Sequence, residues 1–324
     1  MIIDKRTLAH ARLALREAAR NFLFDPNVHL IDFGYPIQKG HLNESELAIR
    51  FHVREKLSNV ALETAAETGQ TRPIPAAIGG FKTDVPQAKY GLHYTGSWGN
   101  FQPRVEPRAG RAEIMRGGIS ISNEYQYTYG TLGGLVIDRA TGAEMMLSNW
   151  HVLVGRWGAR PGQRILQAGL GDGGTYKDVA ATLVRDAMSA NLDAAVAALN
   201  GKRGLLNQQL GLKPVTGIAR AELGMDVVKS GRKTGVTYGR VTAIEGIAKM
   251  NYDRIERIIR HVITIEPRRS FEEVSAGGDS GSWWLETKSM AAVGLHFAGS
   301  NAPERALAND MQSVLNALNV AIAV

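Results

Sequence analysis

Gly277-Gly278-Asp279-Ser280-Gly281-Ser282 is the stretch on which the reading of this chain turns. Glycines on both sides of Ser280 allow a sharp turn that aims a hydroxyl and several backbone amides at one point. A serine hydroxyl is a weak nucleophile until an imidazole takes its proton, and the imidazole works best when a buried carboxylate fixes its tautomer. Upstream, Leu147-Ser148-Asn149-Trp150-His151-Val152 offers the base and Asn191-Leu192-Asp193-Ala194-Ala195-Val196 the acid. Asp186 competes for the acid role. Asp193 is preferred because it sits in the apolar run Leu192 to Leu199, where a buried carboxylate needs a partner. The backbone amides of Gly278 and Ser280 form the candidate oxyanion hole, where each donor supplies about 2.7 to 4 kcal/mol of transition-state stabilisation. Ser282 stands where a G-x-S-x-G elbow requires glycine, so that turn type is excluded.

Composition narrows the class. With 324 residues and 44% hydrophobic content, the chain can build more than one core. It contains no cysteine, so no disulfide framework is available, and a reducing compartment, the cytoplasm, is expected. The start, Met1-Ile2-Ile3-Asp4-Lys5-Arg6, carries no apolar run or cleavage site, and no stretch reaches the roughly 18 to 20 apolar residues of a membrane helix. No signal peptide, anchor or membrane partner is therefore expected. The net charge of +7 is spread along the chain without an aromatic-interleaved patch, which argues against nucleic acid as a partner.

Periodicity sets the organisation. Leu8, Ala11, Leu15, Ala18 and Phe22 fall on one helical face within Lys5 to Phe22, and Asp25-Pro26 ends the helix. Arg12, Arg16 and Arg20 recur on another face, read as solvated. Val28 to Gln38 is apolar and glycine-punctuated, Leu47 to Val53 alternates as a strand, and Val60 to Thr68 suits a crossover helix before Phe81 to Val85. Tyr90 to Arg111, rich in Gly, Pro, Ser and Asn, reads as a linker. From about Ile114 onward, short β-rich runs alternate with glycine turns at intervals of roughly a dozen residues, the pattern of a barrel or sandwich. Gly201 to Leu212 lacks that alternation and reads as a connection. Met311, Val314, Leu315 and Leu318 mark a final helix that should pack on the second half.

The order His151, Asp193, Ser280 resembles the chymotrypsin/trypsin family and not the α/β-hydrolases, whose order is serine, acid, histidine. More narrowly, Tyr129-Gly130-Thr131-Leu132-Gly133, Leu147-Ser148-Asn149, Ile165-Leu166-Gln167, Asp172-Gly173-Gly174, Gly231-Arg232-Lys233-Thr234-Gly235 and Phe297-Ala298-Gly299-Ser300 resemble the trypsin-like peptidases that include the plant NARROW LEAF1 protein and bacterial relatives. Asn27-Val28 to Val53, with Gly34-Tyr35 and Thr83-Asp84-Val85, is similar to the small domain before their barrels. Asp32-Phe33 departs from the glycine-rich strand expected there. The resemblance implies a mainly β, chymotrypsin-like double β-barrel with a small N-terminal α/β domain. The expected boundaries are a helix in 1–24, an α/β unit in 25–95, and a peptidase domain in 112–324. Within the last, barrel 1 spans about 112–200, barrel 2 about 213–308, and a C-terminal helix 309–320.

The implied activity is that of a serine endopeptidase acting on protein or peptide substrates through an acyl-enzyme on Ser280, with no cofactor and no metal. Asp279 would be buried and need a counter-ion. In some secreted bacterial relatives that partner is a basic residue before an S-G-R-T-T-G segment; here Lys229 precedes Ser230-Gly231-Arg232-Lys233-Thr234-Gly235, the alternative being a surface lysine. Enzymes that cut after Arg or Lys carry an acid six residues before the nucleophile, where this chain has Val274 with Glu273 beside it. Gly294-Leu295-His296-Phe297-Ala298-Gly299 instead resembles the G-I-H-W-G-G segment of glutamate-specific staphylococcal peptidases, with Ser275 at the position of their pocket hydroxyl. Ser275 and His296 are therefore candidate pocket residues for an acidic side chain, the alternative for His296 being a structural hydrogen bond.

The alternative function is a silent or partner-activated protease-fold scaffold, with loop 270–280 as the switch. The N-terminal region would then dock a regulatory protein or a second copy. Gly169-Leu170-Gly171-Asp172-Gly173-Gly174 fits a dinucleotide fingerprint, but no βαβ unit surrounds it, so it reads as a loop.

Overall fold

The computed structural model describes residues 3–92, 107–269 and 271–324. Helix α1 (Lys5–Phe22) begins where the Asp4 carboxylate accepts the Arg6 and Thr7 amides at 2.9 Å, which satisfies donors that an uncapped helix leaves open. Its Leu8, Ala11, Leu15, Ala18 and Phe22 are buried, and Phe22 meets Phe51 edge-on at 5.4 Å. Burying each large side chain contributes about 1.5 to 3 kcal/mol. The arginine face is only partly solvated, because Arg12 reaches Glu245 at 2.7 Å.

Two closed strand systems follow. In the first, strands Ser120–Asn123, Arg164–Leu166, Val179–Asp186, Ala195–Leu199, Glu144–Ser148 and Gly134–Asp138 pair in that order. The chain just before Gly134 returns to the starting strand, with Gly130 opposite Ile121 and the Leu132 amide donating to the Ile119 carbonyl, so the two ends meet. In the second, Asp226–Gly231, Trp283–Glu286, Ala292–Asn301, Glu304–Asp310, Ile255–Pro267 and Gly235–Tyr252 pair in order, and the last also pairs with the first. The molecule is mainly β, with two closed rings of strands joined at a seam, the double-barrel layout expected above. Closure leaves few open edges for unwanted pairing.

The N-terminal strands do not stand apart. Strand Val28–Gly34 pairs antiparallel with Gly235–Tyr252, continuing the second sheet through Ala48–Val53 and, in parallel, Phe81–Asp84. Helix α2 (Asn59–Glu67) supplies the crossover. Residues of α1, these strands and the second ring share one apolar cluster that includes Leu15, Phe33, Phe51, Val241, Ile263 and Trp284. Asp32 earns its place in a buried strand through polar contacts: both carboxylate oxygens meet Arg50 at 2.7 Å, and Thr264 Oγ1 donates at 2.7 Å. His52 Nε2 lies 3.3 Å from the same carboxylate and its Nδ1 is 2.8 Å from the Tyr90 hydroxyl.

Other segments differ from expectation. Gly204–Gln209 is a strand, pairing in parallel with Ile114–Gly117, and its half-exposed polar residues hid it. Of the linker at 90–111, residues 93–106 lie outside the described set. Its start, Gly91–Leu92, pairs with Ala292–Asn301, and near its end Arg108 donates to Ser230 Oγ at 2.7 Å and the Gly118 carbonyl at 2.9 Å. Helix α4 (Met311–Ala317), after the short helix α3 (Trp150–Leu153), is shorter than the expected 309–320. The chain then returns to the first ring, with Val320–Ile322 pairing against Gly134–Asp138, so α4 packs between the rings and not on the second alone. No helix among the described residues is long and apolar enough to cross a membrane.

Candidate active site

His151 lies in α3, directly after strand Glu144–Ser148. Buried Trp150 anchors that turn, packing tilted against Trp157 with ring centroids 4.7 Å apart and meeting Tyr252 edge-on at 5.8 Å. Asn149 Nδ2 donates to the Asp193 carbonyl at 2.7 Å, tying the histidine turn to the acid segment. Asp193 is fully buried. Its Oδ2 lies 2.6 Å from His151 Nδ1 and accepts from the Tyr252 hydroxyl at 2.9 Å, while Oδ1 accepts the His151 amide at 3.1 Å. An ionised carboxylate can only accept, so this geometry assigns the proton to Nδ1 and the imidazole lone pair to Nε2. The Asp193 amide donates to Asn309 Oδ1 at 3.0 Å, which fixes the acid from the second ring. Asp186 is exposed and accepts the Met188 amide at 3.0 Å, so the structure brings Asp193 to His151 and leaves Asp186 at the end of its strand.

Ser280 is buried and its Oγ donates to the Phe297 carbonyl at 3.3 Å. The seam between the rings brings it beside the histidine turn. The Thr131 amide donates to the Ser280 carbonyl at 2.7 Å, and a Cβ on Gly130 would lie 2.7 Å from Val152 Cγ1 and 3.1 Å from the Ser280 carbonyl oxygen. Glycine at 130 thus lets both segments close on one short strand. Gly278 has φ +109° and packs against Tyr129, whose Cε2 would lie 2.5 Å from an added Cβ. The loop is pinned by the Asp279 amide donating to the Ala276 carbonyl at 3.0 Å and by Thr131 Oγ1 donating to the Gly278 carbonyl at 2.8 Å.

Asp279 and Lys229 meet at 2.9 Å with both side chains fully buried. The carboxylate also accepts from Thr234 Oγ1 at 2.6 Å, from the Lys233 and Thr234 amides at 2.8 and 3.1 Å, and from the Ala276 amide at 3.1 Å. Burial works against its charge, but the Lys229 ammonium and these donors outweigh it and hold the carboxyl far below the usual range. Burial pushes the Lys229 amine down, while Asp279 opposes that shift. Beside them, Arg232 pairs with Asp172 and lies 4.1 Å over the Tyr129 ring, so the glycine-rich loop 169–174 clasps the 229–235 loop.

The two candidate pocket residues are not joined. The Ser275 hydroxyl is buried and makes no hydrogen bond among the described residues. The His296 ring is buried edge-on to Trp284 at 6.2 Å, while its backbone accepts from the Gly281 amide at 2.9 Å and donates to the Ser282 carbonyl at 2.9 Å. Glu273 is exposed. Glu304 instead, which the sequence reading missed, accepts the Val274 and Ser275 amides at 2.8 and 3.2 Å, and burial raises its carboxyl pKa. Tyr252 and Asn309 were missed as well; nothing local marks either as an Asp193 partner. Among the described residues, no group of three or more His, Cys, Asp and Glu could hold a metal.

No protein-family model and no curated protein matches this chain. Solved structures do. The chymotrypsin of Cellulomonas bogoriensis matches over 65% of this chain and 98% of its own, at 18% identity and a TM-score of 0.47. A serine protease described as glutamic acid specific, with a histidine triad in substrate binding, matches over 64% and 100%, at 20% identity and a TM-score of 0.48. The active form of the Rv3671c protease from M. tuberculosis matches over 61% and 78%, at 20% identity and a TM-score of 0.40. These neighbours are described as a chymotrypsin, a serine protease and a protease, each at 20% identity or less.

Proposed function

We propose that this protein is a serine endopeptidase. The observation that carries the reading is the 2.6 Å contact between His151 Nδ1 and buried Asp193, made at the same seam that holds Ser280. In this reading His151 Nε2 takes the Ser280 proton as Oγ attacks a peptide carbonyl, and the amides of Gly278 and Ser280 stabilise the oxyanion. The tetrahedral adduct collapses to an acyl-enzyme as His151 returns the proton to the leaving amine. Water, deprotonated by His151, then releases the carboxylic acid product. The Lys229–Asp279 pair gives the nucleophile loop an internal counter-ion, so activity would need no cut that creates a new N-terminus.

The finer reading places an acidic residue on the acyl side of the cut bond, with the Ser275 hydroxyl and His296 imidazole as donors. Glu304 stands against the same backbone, and its protonated form is the one compatible with an acidic guest. The narrower kinship with the NARROW LEAF1-like peptidases rests on the sequence segments quoted above. The test is labelling of folded protein with a serine-directed fluorophosphonate, with the adduct located by mass spectrometry. Labelling at Ser280 that disappears in His151→Ala supports the reading; a well-folded protein that stays unlabelled would leave a binding or scaffold module.

A further inference from the structure

The strand that accepts the Ser280 hydroxyl, Ala292–Asn301, has two sides beyond Phe297. On one, Ala298 and Gly299 pair with Leu307 and Ala306. The other begins as a pairing with Trp283–Glu286 up to Leu295 and ends where the His296 backbone bonds Gly281 and Ser282. From there on the strand presents an edge, and an extended peptide docks on such an edge through main-chain hydrogen bonds. In this protein the edge is taken: Leu92 lies opposite Ala298 and Gly91 opposite Gly299, antiparallel. The direction matters. From Gly91 to Leu92 the chain advances from Gly299 toward Phe297, whose carbonyl meets Ser280 Oγ at 3.3 Å. A substrate whose acyl half adds to this edge would run the same way. Leu92 packs on the cluster containing Phe297, Ala298 and Tyr252, and Tyr90 just before it is moored to His52 and to His29 Nδ1, the latter at 3.3 Å.

We infer that Gly91–Leu92 is a resident occupant of the peptide-docking edge beside Ser280, and that extended peptides bind after this segment leaves. The inference rests on the peptidase reading above. A two-residue ladder is short enough to be displaced, whereas the moorings at Tyr90 keep the segment close and ready to return.

Two probes separate the readings: a small fluorophosphonate, which needs no edge, and a tetrapeptidyl diphenyl phosphonate, which does. In Leu92→Pro, the rate constant for the peptidyl probe should rise about 10-fold or more, while the fluorophosphonate rate stays within about 2-fold, because only the fraction with a free edge binds peptide. A second variant avoids dependence on that proline. The chain has no cysteine, so Leu92→Cys with Ala298→Cys gives a single closable pair. Oxidised, it should react with the peptidyl probe about 10-fold or more slowly than when reduced, with no change for the fluorophosphonate. Equal peptidyl rates in wild type, Leu92→Pro and both redox states overturn the inference and leave the peptidase reading intact. So does a folded double variant whose thiols fail to join. Absence of fluorophosphonate labelling at Ser280 in every form sinks the peptidase reading, and this inference with it.

Discussion

Two buried aspartates in this protein each meet a histidine and lie near a tyrosine, yet their surroundings equip them for different work. Asp32 faces Arg50 through two 2.7 Å contacts, and the second nitrogen of its histidine, His52, is taken up by Tyr90. Arg50 never gives up its proton, so the carboxylate charge is permanently compensated and held well below the usual range even though burial opposes it. Among the described residues no such cation meets Asp193; it is met by His151 Nδ1, the His151 amide and Tyr252. A carboxylate compensated by arginine ties strands together. One compensated by an imidazole keeps a charge in reserve for the moment that imidazole takes a proton.

Exchanging the two roles gives the largest expected effect. Asp193→Asn should lower kcat by about 10⁴-fold, because an amide in that place favours the wrong imidazole tautomer. Asp32→Asn should leave kcat per folded molecule within a few-fold but lower stability by about 3 to 5 kcal/mol, since Arg50 would stay buried without its counter-charge. Hydrolysis of a peptide ester, read beside urea unfolding, tells the two apart; equal loss of kcat in both would break the comparison. Lys229→Met comes next. It strands the Asp279 carboxylate, with an expected loss of about 3 to 5 kcal/mol and of most activity. Full activity and an unchanged midpoint would reduce the pair to packing.

A smaller effect appears with pH. Burial depresses His52 to about 4, below its ordinary 6.5, and His29 shifts the same way, also to about 4. The unfolded chain therefore binds more protons than the native one between those values. Stability should be complete above about pH 6.5 and fall as the pH drops toward 4, by on the order of 2 to 3 kcal/mol for His52. His52→Gln should flatten the slope of Tm against pH in that window; an unchanged slope would mean that His52 is not the group responsible. The smallest contrast is between Tyr252→Phe and Tyr90→Phe. The first removes a donor to Asp193 and should lower kcat/KM by about 10-fold, near 1.4 kcal/mol. The second should change stability and leave kcat/KM alone in assays with a small ester.

The segments around His151, Asp193 and Ser280 were legible because their chemistry is local: a glycine turn, a histidine after a strand, an acid inside an apolar run. The partners that hold them were not. Tyr252 reaches Asp193 across 59 residues, and Asn309 reaches it across 116. Neither tyrosine nor asparagine has a spacing rule that survives such distances. Glu304 was hidden for the same reason, since its contact with Val274 exists only because strand 304–310 returns beside the pocket loop. Gly204–Gln209 escaped because alternation signals a strand with one buried face, whereas its side chains are mixed. Asp32 read as a departure from an expected pattern, and the fold shows it as the centre of a polar knot whose other members lie 18, 20 and 232 residues away.

Strand Gly235–Tyr252 begins right after Thr234, which holds Asp279, and ends at Tyr252, which holds Asp193. Midway, residues 243–248 pair with Val28–Gly34. One continuous ribbon therefore works as a ruler between the two charge centres, with the N-terminal unit gripping its middle. The N-terminal strands, the Asp279 loop and the Asp193 partner Tyr252 are thus laid along a single stretch of backbone, so the spacing of the two carboxylates is written into the length of one strand.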